Sequence, residues 1–227
     1  MKKKIFFIFS GTIFLVSFYF FSVIVKKDYL NQLDFDTTVK LQDKIPYSLD
    51  PFFASLSLIG SFEITFLALL AILFFTSGAS KGKISIFSKL LNFFKTRFFR
   101  LGVIGFFAAA HIVEIFGKTF LTHPGPAHMF LRNHLGLSFP SSYVQPGSSY
   151  PSGHSLRTVF LAIILLYLII DSKKLHPILK ITFSLLIFTF VALMLVSRVS
   201  LGEHWTTDVI GGSLLGISFA ILSLLFL

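Results

Sequence analysis

Six apolar stretches, each near the length that crosses a bilayer, constrain this chain more than any other feature. A spanning helix needs about 20 mostly apolar residues. The stretches are Ile5–Val25, Phe52–Phe75 (interrupted by Ser61 and Glu63), Leu101–Phe120, Ser155–Ile170, Ile181–Val196 and Val209–Leu227. The 227 residues are 54% hydrophobic and only 13% charged, where a soluble domain carries about 25% charged residues. One soluble core of this size cannot bury so much apolar surface, and a disordered chain would lack it. The expected class is therefore all-α, a polytopic membrane protein with six transmembrane helices in one bundle. Cysteine is absent, which excludes a disulfide framework and any Cys-based zinc or redox site.

The first stretch follows Lys2, Lys3 and Lys4. It outruns the apolar core of a signal peptide, about 7–15 residues, and no small-x-small cleavage site follows it. A retained helix is the better reading. No repeat, low-complexity tract or boundary divides the chain, so residues 1–227 read as one membrane domain.

Charge decides orientation. There are 20 Lys and Arg against 10 Asp and Glu, a net charge of +10. In a soluble chain that balance points to nucleic acid, but in so apolar a chain it points to basic loops beside a membrane. With the N-terminus inside, the inner segments hold Lys2, Lys3, Lys4, Lys81, Lys83, Lys89, Lys95, Arg97, Arg100, Lys173, Lys174 and Lys180, which is 12 of the 20 basic residues. The first outer loop, residues 26–50, offsets Lys26, Lys27, Lys40 and Lys44 with Asp28, Asp34, Asp36, Asp43 and Asp50. The bias places both termini in the cytoplasm, with segments 118–153 and 197–207 on the outer face of a plasma or inner membrane.

Two connections invite closer reading. Ile86, Phe87, Leu90, Leu91 and Phe94 recur at helical spacing between lysines, which suits either a helix in the inner interface or a basic linker. Residues 121–153, rich in Pro and Gly, read as a long irregular outer loop, and loops of that length are commonly functional or disordered. Its His123, His128 and His134 fit no compact zinc spacing, so they read as solvated or substrate-facing. His176, beside Lys173 and Lys174, reads as an inner-loop residue near the lipid surface.

Ionisable residues near spans are costly and call for a functional hypothesis. Here they gather at one end: Lys118 closes the third span, Pro151-Ser152-Gly153-His154 opens the fourth, Ser197-Arg198 closes the fifth, and His204 and Asp208 precede the sixth. His204 and Asp208 are four apart and share a helical face. A carboxylate on one ring nitrogen fixes the tautomer and leaves the other nitrogen free to attack. Ser152 and Gly153 stand at a helix N-terminus, where backbone N–H groups and the dipole favour an anion. Lys118 and Arg198 add two cations, and His154 is placed to protonate a leaving oxygen. Together these make a phosphate-ester hydrolase that needs no metal or other cofactor. Each residue also has a bland role: Asp208 and Ser152 as N-caps, Arg198 at a helix C-terminus, Lys118 paired with Glu114. The bland roles do not explain two histidines, or the gathering at one end.

These residues resemble the PAP2 (type 2 phosphatidic acid phosphatase) superfamily, whose signature is Lys-x6-Arg-Pro, then Pro-Ser-Gly-His, then Ser-Arg-x5-His-x3-Asp. The second part is complete in Pro151, Ser152, Gly153 and His154, and the third in Ser197, Arg198, His204 and Asp208. The resemblance covers about residues 49–227. It implies that His204 is the nucleophile that forms a phosphohistidine, Asp208 its orienting partner and His154 the general acid. Lys118, Ser152, Gly153 and Arg198 would form the phosphate cradle. It also implies metal-independent action on a membrane lipid phosphate or pyrophosphate.

The first signature part departs from the pattern. Six residues after Lys118 stands Gly125, followed by Pro126, where an Arg is expected. A bidentate phosphate contact is lost that Lys or Gly cannot replace. Arg157, one turn after His154, is the first candidate to compensate, and Arg132 in the long loop the second; the bland role of Arg157 is to snorkel to the interface. His111, Glu114 and Lys118 share a face of the third span, where Glu114 positions Lys118 or serves general helix packing. Glu63 needs a partner that the sequence does not name. The functional expectation is a membrane lipid phosphate phosphatase, with a lipid phosphotransferase or a non-catalytic lipid-phosphate binder as the alternatives. A transporter fits less well, because neither broken helices nor a repeat is visible.

Overall fold

The computed structural model describes residues 2–75, 86–132 and 148–227, and of residues 75 and 86–98 the backbone. Among the described residues there are helices, turns and connecting segments, and no strands. The α-helices are α1 (Lys2–Lys26), α2 (Asn31–Lys44), α3 (Asp50–Ile59), α4 (Phe62–Phe75), α5 (Ile86–Phe120), α6 (Gly153–Asp171), α7 (Pro177–Ser200) and α8 (Thr206–Ser223). Five helical segments are long and apolar enough to cross a membrane, and the α3–α4 pair makes a sixth if it is counted as one bent span. The all-helical membrane class is what the apolar stretches predicted.

Three elements differ from the sequence reading. The second stretch is broken: the axis turns by 54° between α3 and α4, at Gly60 and Ser61. The Arg157 Nε donates to the Gly60 carbonyl at 3.0 Å, so the break has a partner from α6. Glu63, expected near mid-span, falls instead in the first turn of α4. The first outer loop carries α2, whose mean hydropathy is too low for a span and whose Asp34 and Thr38 are buried. Residues 86–94 belong to the same unbroken helix as the third span, and are neither a separate interfacial helix nor a linker. Of the long loop, residues 133–147, including His134, lie outside the described residues.

The helix ends follow from local chemistry. Ser152 accepts the Ser155 N–H at 3.4 Å and caps α6. Pro177 stands in the first turn of α7, where a missing N–H costs nothing, and His176 Nδ1 accepts from the Ile178 N–H just ahead of it. Asp208 takes the Trp205 N–H at 2.9 Å at the start of α8.

α8 packs against α1, α5 and α6. Its seam with α6 is lined by glycine because the backbones touch. A Cβ on Gly212 would stand 2.2 Å from the Ser152 carbonyl oxygen, and one on Gly216 2.5 Å from that of Leu156. Small residues let membrane helices approach so closely. Above the seam the Ser152 N–H donates to the Asp208 carbonyl at 3.0 Å, locking the starts of the two helices together. Leu69, Phe107, Leu156, Phe160 and Leu215 fill the interior, while Phe9, Ile112, Phe116, Leu185 and Phe188 point outward, as suits a lipid-facing surface.

The two ends of the bundle are built differently. At one, Lys3 bridges Asp171 at 3.0 Å on the surface. At the other, α2 and the loops ahead of α6 and α8 are tied together. Gln42 Nε2 donates to the Phe130 and Ser200 carbonyls, and the Arg132 N–H to that of Leu201. Trp205 Nε1 donates to the Pro124 carbonyl at 2.8 Å.

Candidate active site

The polar clusters that the sequence placed at one end do converge. Arg157, Arg198, His204 and Lys118 all lie within electrostatic reach of His154. Five helices and loops supply them, and the Ser152–Asp208 link sets the two histidine-bearing segments side by side. Ser152, Gly153, Arg198 and Asp208 are buried, whereas His154, His204 and Lys118 keep partial exposure.

His204 Nδ1 lies 3.3 Å from Asp208 Oδ2. The same oxygen accepts the Trp205 N–H, so capping and orientation are one contact rather than rival readings. With Nδ1 engaged, Nε2 of His204 is the nitrogen left to attack. Arg198 is fully buried. Its Nη1 donates to Ser57 Oγ at 2.7 Å and pairs with the Glu203 carboxylate, and its Nε donates to Ser197 Oγ at 3.3 Å. A buried guanidinium needs such partners.

Glu114 organises the opposite flank. Lys118 Nζ donates to its Oε1 at 2.8 Å, and Arg157 Nη1 stands 3.8 Å from its Oε2. His111 Nε2 is 4.0 Å from that same oxygen. A Cβ on Gly153 would lie 2.2 Å from Glu114 Oε1 and 2.8 Å from Arg157 Nη1. With glycine at this position the cluster presses against the start of α6, and a larger residue would displace the Glu114 and Arg157 side-chain ends. Arg157 is therefore buried beside the predicted cradle and does not snorkel outward. Glu63, for which the sequence offered no partner, lies within electrostatic reach of it.

Other expectations fail. Arg132 stands apart from the cradle: its guanidinium donates to the Ile45 and Gln42 carbonyls and lies 3.9 Å above the Tyr47 ring. His123 is buried, not solvated or substrate-facing. Its Nε2 stands 3.6 Å from Asp208 Oδ1 and 3.8 Å from Asp34 Oδ2. Asp34 itself accepts the Thr207 N–H at 2.8 Å and the Thr207 hydroxyl at 2.7 Å. Burial pushes the Asp34 carboxyl up from its ordinary value, and the two Thr207 hydrogen bonds work against that rise. Tyr150, ahead of α6, meets Ser22 Oγ at 2.9 Å, and burial pushes its phenol up. Among the described residues no group of three His, Asp or Glu converges as a metal site.

The sequence reading missed Asp34, Thr207, Ser57 and Glu203 as neighbours of the site. Glu203 and Thr207 carried a signal, since they stand next to His204 and Asp208. Asp34 and Ser57 come from elements whose folding over the site no local pattern announces.

The sequence model of the PAP2 superfamily matches residues 99–227, more than half of the chain. No curated protein gives a significant sequence match. The fold is similar to the crystal structure of the first transmembrane PAP2 type phosphatidylglycerolphosphate phosphatase from Bacillus subtilis. That match has TM-score 0.65 and 17% identity, covering 95% of this chain and 94% of that one. It is also similar to Aquifex aeolicus LpxE, with TM-score 0.56, 22% identity and coverage of 85% and 94%. At these identities the likeness is one of fold.

Proposed function

The chain belongs to the PAP2 superfamily, and on that premise we propose that it is an integral membrane phosphatase hydrolysing a lipid phosphate or pyrophosphate through a phosphohistidine. The observation that carries the reading is the pairing of His204 Nδ1 with Asp208 at 3.3 Å, beside His154 and the cations of Lys118 and Arg198. A lipid-phosphate headgroup enters the cradle of Lys118, Arg198, Arg157 and the Ser152–Gly153 helix start, whose N–H groups favour an anion. His204 Nε2 attacks phosphorus and the ester P–O bond breaks. The departing oxygen takes a proton from His154. Water then attacks the phosphohistidine, gives its proton to His154, and releases inorganic phosphate. Asp208 stabilises the positive charge that the His204 ring carries between the two steps.

The site lies at the bundle end predicted to face outward, so the substrate belongs to the outer leaflet, with both termini cytoplasmic. A phosphatidylglycerolphosphate-like lipid, phosphatidate and polyprenyl pyrophosphate share the required chemistry. One observation favours a second reading. Gly125, where the family has Arg, is exposed, and nothing lies nearer its Cβ position than Ser149 at 3.4 Å. A site short of one donor is what a non-catalytic lipid-phosphate binder would have.

The deciding experiment gives purified protein each of the three lipids in the presence of a chelator, with His204→Ala alongside. Phosphate release that disappears in His204→Ala is the expected result. Binding without release from any lipid establishes the non-catalytic reading. Release that survives His204→Ala overturns the phosphohistidine route.

A further inference from the structure

Asp208 has two oxygens, and the family reaction accounts for one. Oδ2 takes the His204 ring and the Trp205 N–H. Oδ1 is buried and has no hydrogen-bond partner among the described residues. A buried carboxylate oxygen without a donor is costly. The group nearest to satisfying it is His123 Nε2, at 3.6 Å, from the loop after α5.

The proton on that nitrogen can be placed. The Thr207 hydroxyl has one hydrogen, and it is donated to Asp34 Oδ2 at 2.7 Å. Thr207 Oγ1 also lies 3.3 Å from His123 Nε2. That second contact is a hydrogen bond only if Nε2 carries the hydrogen. Asp34, held by the Thr207 N–H as well, therefore sets the His123 tautomer, and the one Nε2–H is shared between Thr207 Oγ1 at 3.3 Å and the more distant Asp208 Oδ1 at 3.6 Å. The His123 Nδ1 is buried without a partner among the described residues.

We propose that His123, fixed by Thr207 and Asp34, is a positioning residue for the reaction: its Nε2–H meets the second oxygen of Asp208 and keeps that carboxylate ionised and aimed at His204. The series runs from α2 through the loop and α8 to the nucleophile, so the element that the sequence read as a plain outer loop becomes part of the catalytic apparatus. The inference rests on His204 being the nucleophile. Charged and titratable groups face the dyad from every side. Asp34 and His123 lie behind Asp208, and the Tyr150 ring stands 6.2 Å from His123 with its hydroxyl turned to Ser22. His154, Arg198 and Lys118 lie on the substrate side.

Removing the donor leaves Asp208 Oδ1 dry and raises the proton affinity of the Asp208–His204 pair. His123→Ala is expected to lower kcat about tenfold to a hundredfold, with KM nearly unchanged, and to move the acid limb of the kcat profile to higher pH. In parallel, the His204 imidazole is followed by NMR titration of histidine-labelled protein. Its midpoint is expected higher in His123→Ala than in wild type. His123→Gln, whose amide N–H reaches the place of Nε2, recovers most of both losses. An unmoved midpoint overturns the proposal whether or not turnover is seen, and so does His123→Gln behaving like His123→Ala. Absence of turnover in the wild type would instead sink the proposed phosphatase, while the titration still decides the role of His123.

Discussion

The two cationic flanks of the site are built on opposite plans. On the α7 flank a single Arg198 is fully buried and gripped from three directions, by Ser57, Ser197 and Glu203. On the α5 flank the charge is shared: Lys118 and Arg157 converge on one carboxylate, Glu114, and only Lys118 matches the family signature. The first flank is complete in sequence and tightly determined in structure. The second has Gly125 where the signature has Arg, and Arg157 of α6 stands beside Lys118 on Glu114. The contrast poses one question: whether Arg157, from α6, does for the proposed phosphate site what the missing signature Arg would do.

Breaking the complete flank should have the largest effect. Arg198→Ala removes the best-held donor and breaks the ion pair with Glu203. A loss of about a hundredfold to a thousandfold in kcat is expected, read as phosphate release by folded protein. Arg198→Lys should recover little, since an ammonium cannot reproduce the forked contact. Breaking the improvised flank comes next. Arg157→Ala should cost about tenfold to a hundredfold in kcat/KM if its guanidinium touches phosphate. A variant at wild-type rate would return Arg157 to a packing role against Gly60 and Glu114.

How far each flank was legible follows from the same contrast. Pro151–His154 and Ser197–Asp208 are contiguous motifs at helix starts and ends, where spacing maps directly onto a shared face, so Arg198, His154, His204 and Asp208 could be named from sequence. The spans were legible because about 20 apolar residues leave few alternatives. The break at Gly60 was not, although Ser61 and Glu63 interrupt the run, because its cause is tertiary: an Arg157 contact from α6. Arg132 misled for the complementary reason. Its charge sits in the right loop, yet the Gln42 and Ile45 carbonyls and the Tyr47 ring claim it. Asp34 was counted only as charge balance in a loop, and no periodicity shows that α2 folds over α8 to reach Thr207.

Restoring the signature sharpens the comparison from the other side. Gly125 is exposed, and a Cβ there meets Ser149 only at ordinary contact distance, so Gly125→Arg is sterically open. The expected result is a rise of about tenfold in kcat/KM, in line with one added charged contact. The same change placed on Arg157→Ala should recover most of what that variant lost. Two full, additive effects would show that positions 125 and 157 serve different oxygens, whereas a rescue would show that they serve the same one.

The smallest effect tests why the complete flank carries its own acid. The Glu203 carboxylate sits against Arg198 Nη1, in the role that a phosphate oxygen would take. In the empty site it offsets a buried guanidinium that would otherwise stand uncompensated. If phosphate enters the proposed cradle, this carboxylate competes with it and repels it. Glu203→Gln keeps the side chain's shape and one acceptor but removes that repulsion. KM is then expected to fall a few-fold with kcat little changed, while thermal stability falls clearly, because the buried Arg198 guanidinium loses its carboxylate. The Glu114→Gln change on the other flank should do the reverse. Glu114 holds Lys118 and Arg157 in place instead of standing in for substrate, so its loss should raise KM. Opposite signs for two Glu→Gln changes, measured on one lipid in one assay, would separate a carboxylate that yields to phosphate from one that builds its cradle.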